Sequence, residues 1–311
     1  MHSWRLSMME NNNFKSGFVC VIGRANVGKS TFVNQVVGAK VAITSYKPQT
    51  TRNNVLGIKT TDEYQIAFTD TPGVHKPNNM LDERMQEAAY GATFGVDAVI
   101  FMTTPLKKVL HGDELILEQL KKVNAPVYLV INKVDILKKK SDIDETILLY
   151  KDLFDFAGIF PISAQDNIHI DELLNELVRI LPNGPMYYPK EMVSDHSKNF
   201  LMGEIIREKI LLLTKEEVPH SVAVIIDYTK VNEENPNYLD IFATIFVDRA
   251  SQKKIIIGKN GMMIKTIKEQ ALKEIRNLMG QKVHLDLWIK VKENWRDSAK
   301  DLNNLGYSEN L

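Results

Sequence analysis

The sequence predicts an α/β fold in two parts: a doubly wound, mostly parallel sheet, followed by a smaller α+β domain. Three observations predict it. Short apolar runs alternate with helix-length segments through residues 17–181. A glycine-rich loop joins the first apolar run to the first helical segment. After a proline-rich stretch at residues 181–189, longer strand patterns and helices follow in a different order.

The elements of the first part alternate between strand and helix. Because neighbouring parallel strands must be joined by a crossover, usually a helix, this alternation predicts the doubly wound sheet. Strand patterns occur near Phe18, Val55, Tyr64, Ala98, Val127 and Ile159. Helical patterns occur near Ser30, Leu81, Asp113, Asp144 and Ile170.

The second part has the order helix, two strands, helix, glycine loop, helix, strand. Its first helix is expected at residues 200–213, with an apolar side of Phe200, Ile205, Ile206, Ile210 and Leu213. The strands are expected at 221–230, 238–248 and 283–291, and the last long helix at 262–279. We therefore predict a polar, flexible extension at 1–16, a first domain at 17–181, a stiff linker at 182–197 and a second domain at 198–311.

The glycine-rich loop fits the pattern G-x-x-x-x-G-K-[ST] and lies between a strand and a helix, as a P-loop must. Such a loop turns successive N–H groups toward a phosphate chain at a helix N-terminus. Lys29 is expected on the β- and γ-phosphates, and the Ser30 hydroxyl on Mg²⁺. The predicted phosphate-binding residues are Gly23, Arg24, Asn26, Val27, Gly28, Lys29, Ser30 and Thr31.

Two later loops predict that the nucleotide is a guanine nucleotide. Asn132, Lys133 and Asp135 form N-K-x-D at the end of an apolar strand. A carboxylate at Asp135 accepts from the N1 and 2-amino hydrogens of guanine, and the Asn132 amide is expected to donate to the base. The stem of Lys133 is expected to lie over the ring. Ser163 and Ala164 are expected to place their loop against the guanine O6.

Two segments are candidates for switches that sense the γ-phosphate. In D-T-P-G, Asp70 is placed to hold Mg²⁺ through water and Gly73 to sense the γ-phosphate through its N–H. In P-Q-T-T-R at 48–52, a threonine hydroxyl would complete the Mg²⁺ shell. Thr51 is preferred over Thr50, and both remain open.

The residue after the D-x-x-G glycine carries a mechanistic expectation. Ras-type enzymes have a glutamine there that orients the attacking water, whereas this chain has Val74. Intrinsic hydrolysis should therefore be slow. Asn26 could hold K⁺ near the phosphates and neutralise developing charge, or it could only stabilise the loop turn. Lys29, Asn26, Thr51 and Gly73 are the catalytic candidates.

These motifs, in this order, resemble the translation-factor-related, bacterial-type small GTPases, which have a hydrophobic residue at the position of Val74 and an Asn at that of Asn26. The resemblance implies a P-loop GTPase domain that uses GTP, GDP and Mg²⁺.

Composition excludes other classes. A single cysteine excludes a disulfide framework and suggests a reducing compartment. No apolar run has the length of a transmembrane helix, and no signal peptide is visible, so a cytoplasmic protein is expected.

The glycine loop of the second part, Gly258 to Gly261, resembles the G-x-x-G loop of a KH domain of prokaryotic topology, which clamps a nucleic-acid backbone. From Arg249 to Lys300 there are 13 Lys or Arg against five Asp or Glu, whereas residues 198–248 have five against nine. The basic charge therefore gathers around the loop. Bases are expected beside it on Ile256 and Ile257. The predicted RNA-binding residues are Lys253, Lys254, Ile257, Gly258, Lys259, Asn260, Gly261 and Lys265.

A GTPase domain followed by a KH domain is similar to the Era family of ribosome-assembly GTPases. The motifs that carry the resemblance are residues 48–52, 70–73, 252–261 and 294–296, and it covers residues 17–307. The chain departs in Ala25, where proline is commoner, and in Asn260, where glycine is commoner. The resemblance implies binding to the 3′ end of small-subunit ribosomal RNA, a role in small-subunit maturation and peripheral membrane association. We expect a monomer.

Two functions from different classes remain. The first is a GTP-hydrolysing assembly factor whose nucleotide state controls RNA binding. The second is an RNA-binding module or chaperone whose GTPase domain senses nucleotide without significant turnover. Phosphate release with and without small ribosomal subunits separates them.

Overall fold

The structure is a computed structural model that describes residues 13–307, except Lys138 and Lys140. Residues 1–12 of the predicted N-terminal extension lie outside the described residues. The first strand, β1, spans Lys15–Gly23 and therefore begins two residues inside that predicted extension. Lys15 and Ser16 belong to the sheet because they pair with Tyr64 and Gln65.

The described chain forms two compact units. The first contains residues 13–41, 55–71 and 90–195, and the second contains residues 42–54, 72–89 and 196–307. Residues 48–52 of the first candidate switch segment, with Pro72 and Gly73 of the second, thus belong to the same unit as the C-terminal part of the chain, whereas Asp70 and Thr71 belong to the first unit.

The first unit is built on one six-stranded sheet of order β2-β3-β1-β4-β5-β6. All neighbouring pairs are parallel except β2 with β3. The remaining strands are β2 Val55–Thr60, β3 Tyr64–Asp70, β4 Ala98–Thr103, β5 Val127–Ile131 and β6 Gly158–Pro161. The helices of this unit are α1 Lys29–Val37, α3 His111–Leu120, α4 Ser141–Tyr150 and α5 Ile170–Ile180.

The central strands are continuous apolar runs because both of their faces are covered. Every residue of β4 and β5 is buried. Phe32 and Val33 of α1 and Leu173 and Leu177 of α5 complete one core with β1, β3 and β4. The loops at the carboxyl ends of these strands carry the P-loop, Asp70 and the N-K-x-D motif, where doubly wound sheets bind ligands.

The second unit contains a three-stranded sheet of order β7-β8-β9, antiparallel between β7 and β8 and parallel between β8 and β9. Its core joins the sheet to α6 and α8 and includes Ile206, Ile245, Ile267 and Leu285. Its elements are α2 Met80–Gly91, α6 Lys198–Leu213, β7 Val222–Val231, β8 Tyr238–Val247, α7 Ala250–Ile257, α8 Met262–Met279, β9 Lys282–Val291 and α9 Ala299–Asn304.

The predicted fold class is confirmed, since the chain has a P-loop α/β fold with a mostly parallel sheet followed by a KH fold. Each predicted strand and helix lies within two residues of its expected bounds in the second part. The composition of α6 differs from the predicted amphipathic pattern. Arg207, Glu208 and Lys209 are buried along with its isoleucines.

Candidate nucleotide and nucleic-acid sites

The P-loop connects β1 to α1 through a left-handed residue, Gly28, whose φ is 104°. A Cβ atom at Gly28 would lie 2.2 Å from Nδ2 of Asn132, and one at Gly23 would lie 2.3 Å from the carbonyl oxygen of Met102. Both glycines are therefore required by close approach, and Gly28 also by its backbone conformation. Val27 between them is buried.

Lys29 begins α1 and its side chain folds back along the loop. Its Nζ donates to the carbonyl oxygens of Gly23 and Arg24, each at 3.0 Å. The residue is 6 % exposed, and burial lowers the pKa of its ammonium to about 8, with Asp70 opposing the change. A buried ammonium held by two carbonyls is positioned to take a phosphate oxygen as a further partner. Ser30 and Thr31 follow it in the first turn of α1.

Arg24 points away from the loop toward α3. Its Nε donates to Oδ2 of Asp113 at 2.8 Å, and the Tyr150 hydroxyl donates to the same oxygen at 2.8 Å. Burial raises the pKa of Asp113, and Arg24 opposes that rise. Arg24 thus fixes the P-loop to the helices beside it. The sequence predicted Arg24 as a phosphate-binding residue. It did not predict that the Arg24 side chain would bind Asp113 of α3.

Two of the three candidate Mg²⁺ ligands, Ser30 and Asp70, meet at the end of β3, whereas the third, Thr51, belongs to the second compact unit. The Ser30 hydroxyl donates to Oδ2 of Asp70 at 2.6 Å, and Asp70 is fully buried. Thr71 ties this end of the strand to the P-loop strand by donating from Oγ1 to the carbonyl of Val21 at 2.9 Å. A hydroxyl and a carboxylate oxygen in contact are the hard oxygen donors that Mg²⁺ prefers. The residues present therefore fit the ion.

Asn132 joins the two loops that flank the nucleotide site. Its Nδ2 donates to the carbonyl of Val27 at 2.8 Å, and its Oδ1 accepts from the backbone N–H of Ala164 at 2.9 Å. The residue is 2 % exposed. Both ends of the amide are therefore used within the protein. The geometry makes Asn132 a tie between the P-loop and the Ser163–Ala164 loop, in addition to the contact with the base that the sequence suggests.

The other predicted guanine-loop residues follow the ends of β5 and β6. Lys133 has a left-handed φ of 68°, and its Nζ donates to the carbonyl of Asn26 at 2.7 Å. Its stem thereby crosses above the P-loop. Asp135 follows in a short 3₁₀ turn and is exposed. Ser163 is buried, and its hydroxyl accepts from the N–H of Asp166 at 3.1 Å, which shapes the loop that presents Ala164.

Thr50, Thr51, Gly73 and Val74 belong to the second compact unit, whereas Asp70 belongs to the first. Thr51 is 8 % exposed, while the hydroxyl of Thr50 donates to the carbonyl of Lys47 at 2.7 Å within the turn. The choice between Thr50 and Thr51 as the sensing residue stays a prediction. Gly73 is half-buried and Val74 is buried, so the side chain that follows the glycine is an apolar one that cannot orient water.

The backbone conformation of Asn26 fits one of the two roles considered for it, stabilisation of the loop turn. Its φ of 64° is left-handed, a conformation that asparagine tolerates better than most residues. This supports the loop-stabilising role. Asn26 is exposed at the surface of the loop, and the ion-binding role stays a prediction.

The G-x-x-G loop lies between α7 and α8 and is made largely of left-handed residues. Gly258, Asn260 and Gly261 have φ values of 71°, 51° and 75°. A Cβ at Gly258 would lie 2.6 Å from that of Met263, whereas one at Gly261 would meet nothing within 4 Å. Gly258 is thus needed for packing, and Gly261 for its conformation at the start of α8.

The predicted RNA-binding side chains surround this loop. Lys254, Lys259, Asn260 and Lys265 are exposed, and Lys253 is half-buried. Ile257 is 36 % exposed. The expectation that Ile256 also meets a base is wrong, because Ile256 is fully buried in the core of the second unit. Ile255, 45 % exposed, is the apolar residue of α7 that sequence reasoning missed.

Sequence reasoning also missed the contacts of the first switch segment. Arg52 is 3 % exposed and donates to the carbonyls of Pro219, His220 and Val222. Gln49 donates to Asp82 of α2, and its Oε1 lies 3.2 Å from Nδ1 of His220. No signal in a polar stretch between strands distinguishes a buried arginine from an exposed one.

Comparison with known proteins agrees with both halves of the fold. Residues 18–133 match a family described as 50S ribosome-binding GTPase, and residues 217–296 match the KH domain family. The chain is 39 % identical to a point variant of Aquifex aeolicus Era bound to GDP and AlF4⁻, with a TM-score of 0.90 over 95 % of this chain and 100 % of that one. It is equally similar to an Era in complex with MgGDPNP and nucleotides 1506–1542 of 16S ribosomal RNA, at 39 % identity, a TM-score of 0.90, and 95 % and 99 % coverage. The chain therefore belongs to the Era family of GTPases, with a P-loop GTPase fold and a C-terminal KH domain.

Proposed function

We propose that this GTPase is a nucleotide-controlled switch that binds the 3′ end of small-subunit ribosomal RNA and assists maturation of the small ribosomal subunit. The observation that supports the proposal is the occurrence of the guanine-nucleotide motifs and a G-x-x-G loop with exposed Lys259 and Asn260 in one chain. The relative solved with both MgGDPNP and a 16S ribosomal RNA fragment, matched over 95 % of this chain, supports it.

The nucleotide site positions GTP through its loops. The amides at the start of α1 and the Lys29 ammonium hold the β- and γ-phosphates, while Asp135 reads the guanine edge. Ser30, Thr51 and, through water, Asp70 would hold Mg²⁺, which would neutralise charge that develops on the transferred phosphoryl group. Thr51 and the N–H of Gly73 sense the γ-phosphate. Asn132 keeps the phosphate and base loops at a fixed separation through its two hydrogen bonds.

Turnover is slow in this proposal because the buried Val74 cannot orient the attacking water. Positioning of the water then depends on a partner or on further charge at the phosphates. Asn26, exposed on the P-loop, is the residue proposed to hold K⁺ there. In this arrangement K⁺ accelerates hydrolysis without changing how GTP is bound.

The C-terminal domain binds single-stranded RNA at the G-x-x-G loop. Lys259 and Lys265 are exposed beside it and contact phosphates without regard to sequence. The first amides of α8 add a helix N-terminus that favours the same anions. Ile255 and Ile257 offer apolar surface on which unstacked bases can lie.

Organisation and location follow from the same family membership. We retain the sequence limits of 17–181 for the GTPase domain, 182–197 for the linker and 198–311 for the KH domain, although residues 42–54 and 72–89 belong to the same compact unit as residues 196–307. The protein acts as a monomer in the cytoplasm and contacts the membrane peripherally. Among the helices of the described residues, none combines the length and hydropathy that crossing a membrane requires.

Phosphate release measured with and without small ribosomal subunits, in K⁺ and in Na⁺ at equal ionic strength, tests the proposal. We expect slow release alone, stimulation by subunits or by a 3′-end oligonucleotide, and faster release in K⁺. Asn26→Ala should abolish the difference between the two salts while GTP affinity is kept. Release that stays negligible in all four conditions would favour the alternative of an RNA-binding chaperone that only senses nucleotide.

A further inference from the structure

Two arginines hold the residues on either side of Thr51 within the second compact unit. Arg207 of α6, fully buried, donates from Nη2 to the carbonyl oxygen of Thr50. Arg52 donates from Nη1 to the carbonyl of Val222 at 2.7 Å. The residue expected to sense the γ-phosphate therefore lies between two anchors, both of them on elements of the KH part of the chain.

The pocket that receives Arg52 is lined by backbone carbonyls and two aromatic rings. Its Nη2 donates to two further carbonyls, those of Pro219 and His220, each at 3.2 Å. Its Cζ lies 5.9 Å from the ring centroids of both Trp295 and Tyr307, within the range of a cation–π contact. The Trp295 indole is itself fixed, because it donates to the carbonyl of Ser221 at 3.1 Å and is fully buried.

Gln49 gives the same segment a third attachment. Its Nε2 donates to Oδ1 of Asp82 at 2.8 Å and lies 3.1 Å from Nε2 of His75. Its Oε1 lies 3.2 Å from Nδ1 of His220. One side chain thus joins the first switch segment, the segment that follows D-T-P-G and the turn that leads into β7.

These contacts give the first switch segment two well-separated states. A guanidinium that is 3 % exposed either keeps its carbonyl partners or returns to water, because intermediate positions leave a buried charge without hydrogen bonds. Thr51 follows, since adjacent Cα atoms stay about 3.8 Å apart. The segment is therefore closer to a two-position latch than to a freely moving loop.

We infer that Arg52 is the positioning residue that couples the γ-phosphate contact of Thr51 to RNA binding by the KH domain. The inference rests on the proposed function, in which nucleotide state controls RNA affinity. With Arg52 seated among the carbonyls of residues 219–222, GTP bound through Thr51 stabilises the same conformation within the second unit that RNA stabilises. Linkage then requires RNA to tighten GTP binding by the same factor.

The coupling factor is the Kd for a 3′-end RNA oligonucleotide with GDP divided by its Kd with MgGDPNP. The wild-type factor should lie in the range of about 5 to 150 that is typical of allosteric coupling. Arg52→Gln should bring the factor to within about twofold of one, and Arg52→Lys, which keeps the charge but not the planar fork, should give an intermediate value. Ile275→Val is the matched control. It trims a core residue of the same domain that is not among the hydrogen-bond partners of Arg52 or Arg207, and it should keep the full factor.

The outcomes distinguish nucleotide-controlled RNA binding from the specific role of Arg52. A wild-type factor of one would overturn nucleotide-controlled RNA binding, and the coupling role of Arg52 with it. A wild-type factor above about five that Arg52→Gln leaves unchanged would overturn the role of Arg52 alone. If Arg52→Gln does not fold by circular dichroism, Arg52→Lys carries the test, because it keeps the charge and loses the planar fork that reaches three carbonyls. A full wild-type factor in Arg52→Lys would then overturn the inference.

Discussion

Replacing Asn132 with alanine should loosen the phosphate loop and the guanine loop together, even when no nucleotide is bound. The Asn132 amide bonds the Val27 carbonyl at 2.8 Å and the Ala164 N–H at 2.9 Å, and the side chain is almost fully buried. Alanine would leave both backbone groups buried without this partner. Each lost partner costs about 1–3 kcal/mol, so the two loops together lose about 2–6 kcal/mol of support.

Hydrogen exchange of the Ala164 amide measures this loss directly. A loss of about 1–3 kcal/mol at that single bond lowers the protection factor about 5- to 150-fold in the nucleotide-free protein. GTP affinity should fall about 30-fold or more, because binding must then restore the separation of the loops.

Asp135→Asn is the control for the Asn132 experiment. Asp135 is exposed, so the substitution should weaken GTP, favour xanthosine triphosphate and leave protection at Ala164 unchanged. If Asn132→Ala shows wild-type protection at Ala164, the two loops are held together by other contacts and the reasoning is refuted.

Three further predictions concern the phosphate-binding loops. Burial lowers the pKa of Lys29 to about 8, and a bound phosphate favours the protonated form of the side chain. GTP affinity should therefore be constant below about pH 8 and fall about tenfold per pH unit above it. A GTP affinity that stays constant from about pH 7 to 9.5 would contradict this prediction. Gly28→Ala should abolish GTP binding because its Cβ would lie 2.2 Å from Asn132, whereas Gly38→Ala, also left-handed but with open space, should cost about 1–2 kcal/mol of stability and keep GTP affinity in a titration. Gly261→Asp should weaken RNA binding without unfolding the domain. Lys265→Gln should lower the slope of log K for RNA against log salt concentration by about one unit. If wild type and Gly261→Asp bind RNA equally over a salt series, the loop is not an RNA clamp.

The sequence was sufficient to predict elements whose burial follows a simple period. Continuous apolar runs such as Val127–Ile131 are buried on both faces, and they appear in the structure as the central strands. The P-loop and N-K-x-D positions were predictable because each occurs at the carboxyl end of such a strand. These loops need particular residue types, and those types are visible in the sequence.

Long-range polar contacts were not predictable. The charge of Lys209 in α6 suggests that its side chain faces solvent, yet the side chain is buried. Ion pairs with Glu208 and Glu274 offset the cost of burying this charge. Arg52 is buried for a similar reason, as its partners are backbone carbonyls about 170 residues further along the chain, which no local pattern reveals. Ile256 was expected to meet a base because it lies beside the glycine loop, although the helical turn directs it into the core.

The predicted nucleotide site and the predicted RNA site share one feature, a left-handed glycine at the start of a helix, but they differ in the free space around that glycine. A left-handed glycine, Gly28 or Gly261, immediately precedes a helix, and at neither of these two glycines does a side chain cap the first turn. The first amides of α1 and α8 therefore keep their hydrogen-bonding capacity for phosphate oxygens. Around Gly28 the site is closed, since Asn132 occupies the space that a Cβ would need, whereas the space around Gly261 is open. A closed cradle selects one phosphate chain of fixed length. An open one accepts any stretch of a continuous backbone, so specificity for RNA must come from the bases beside the loop and not from the loop itself.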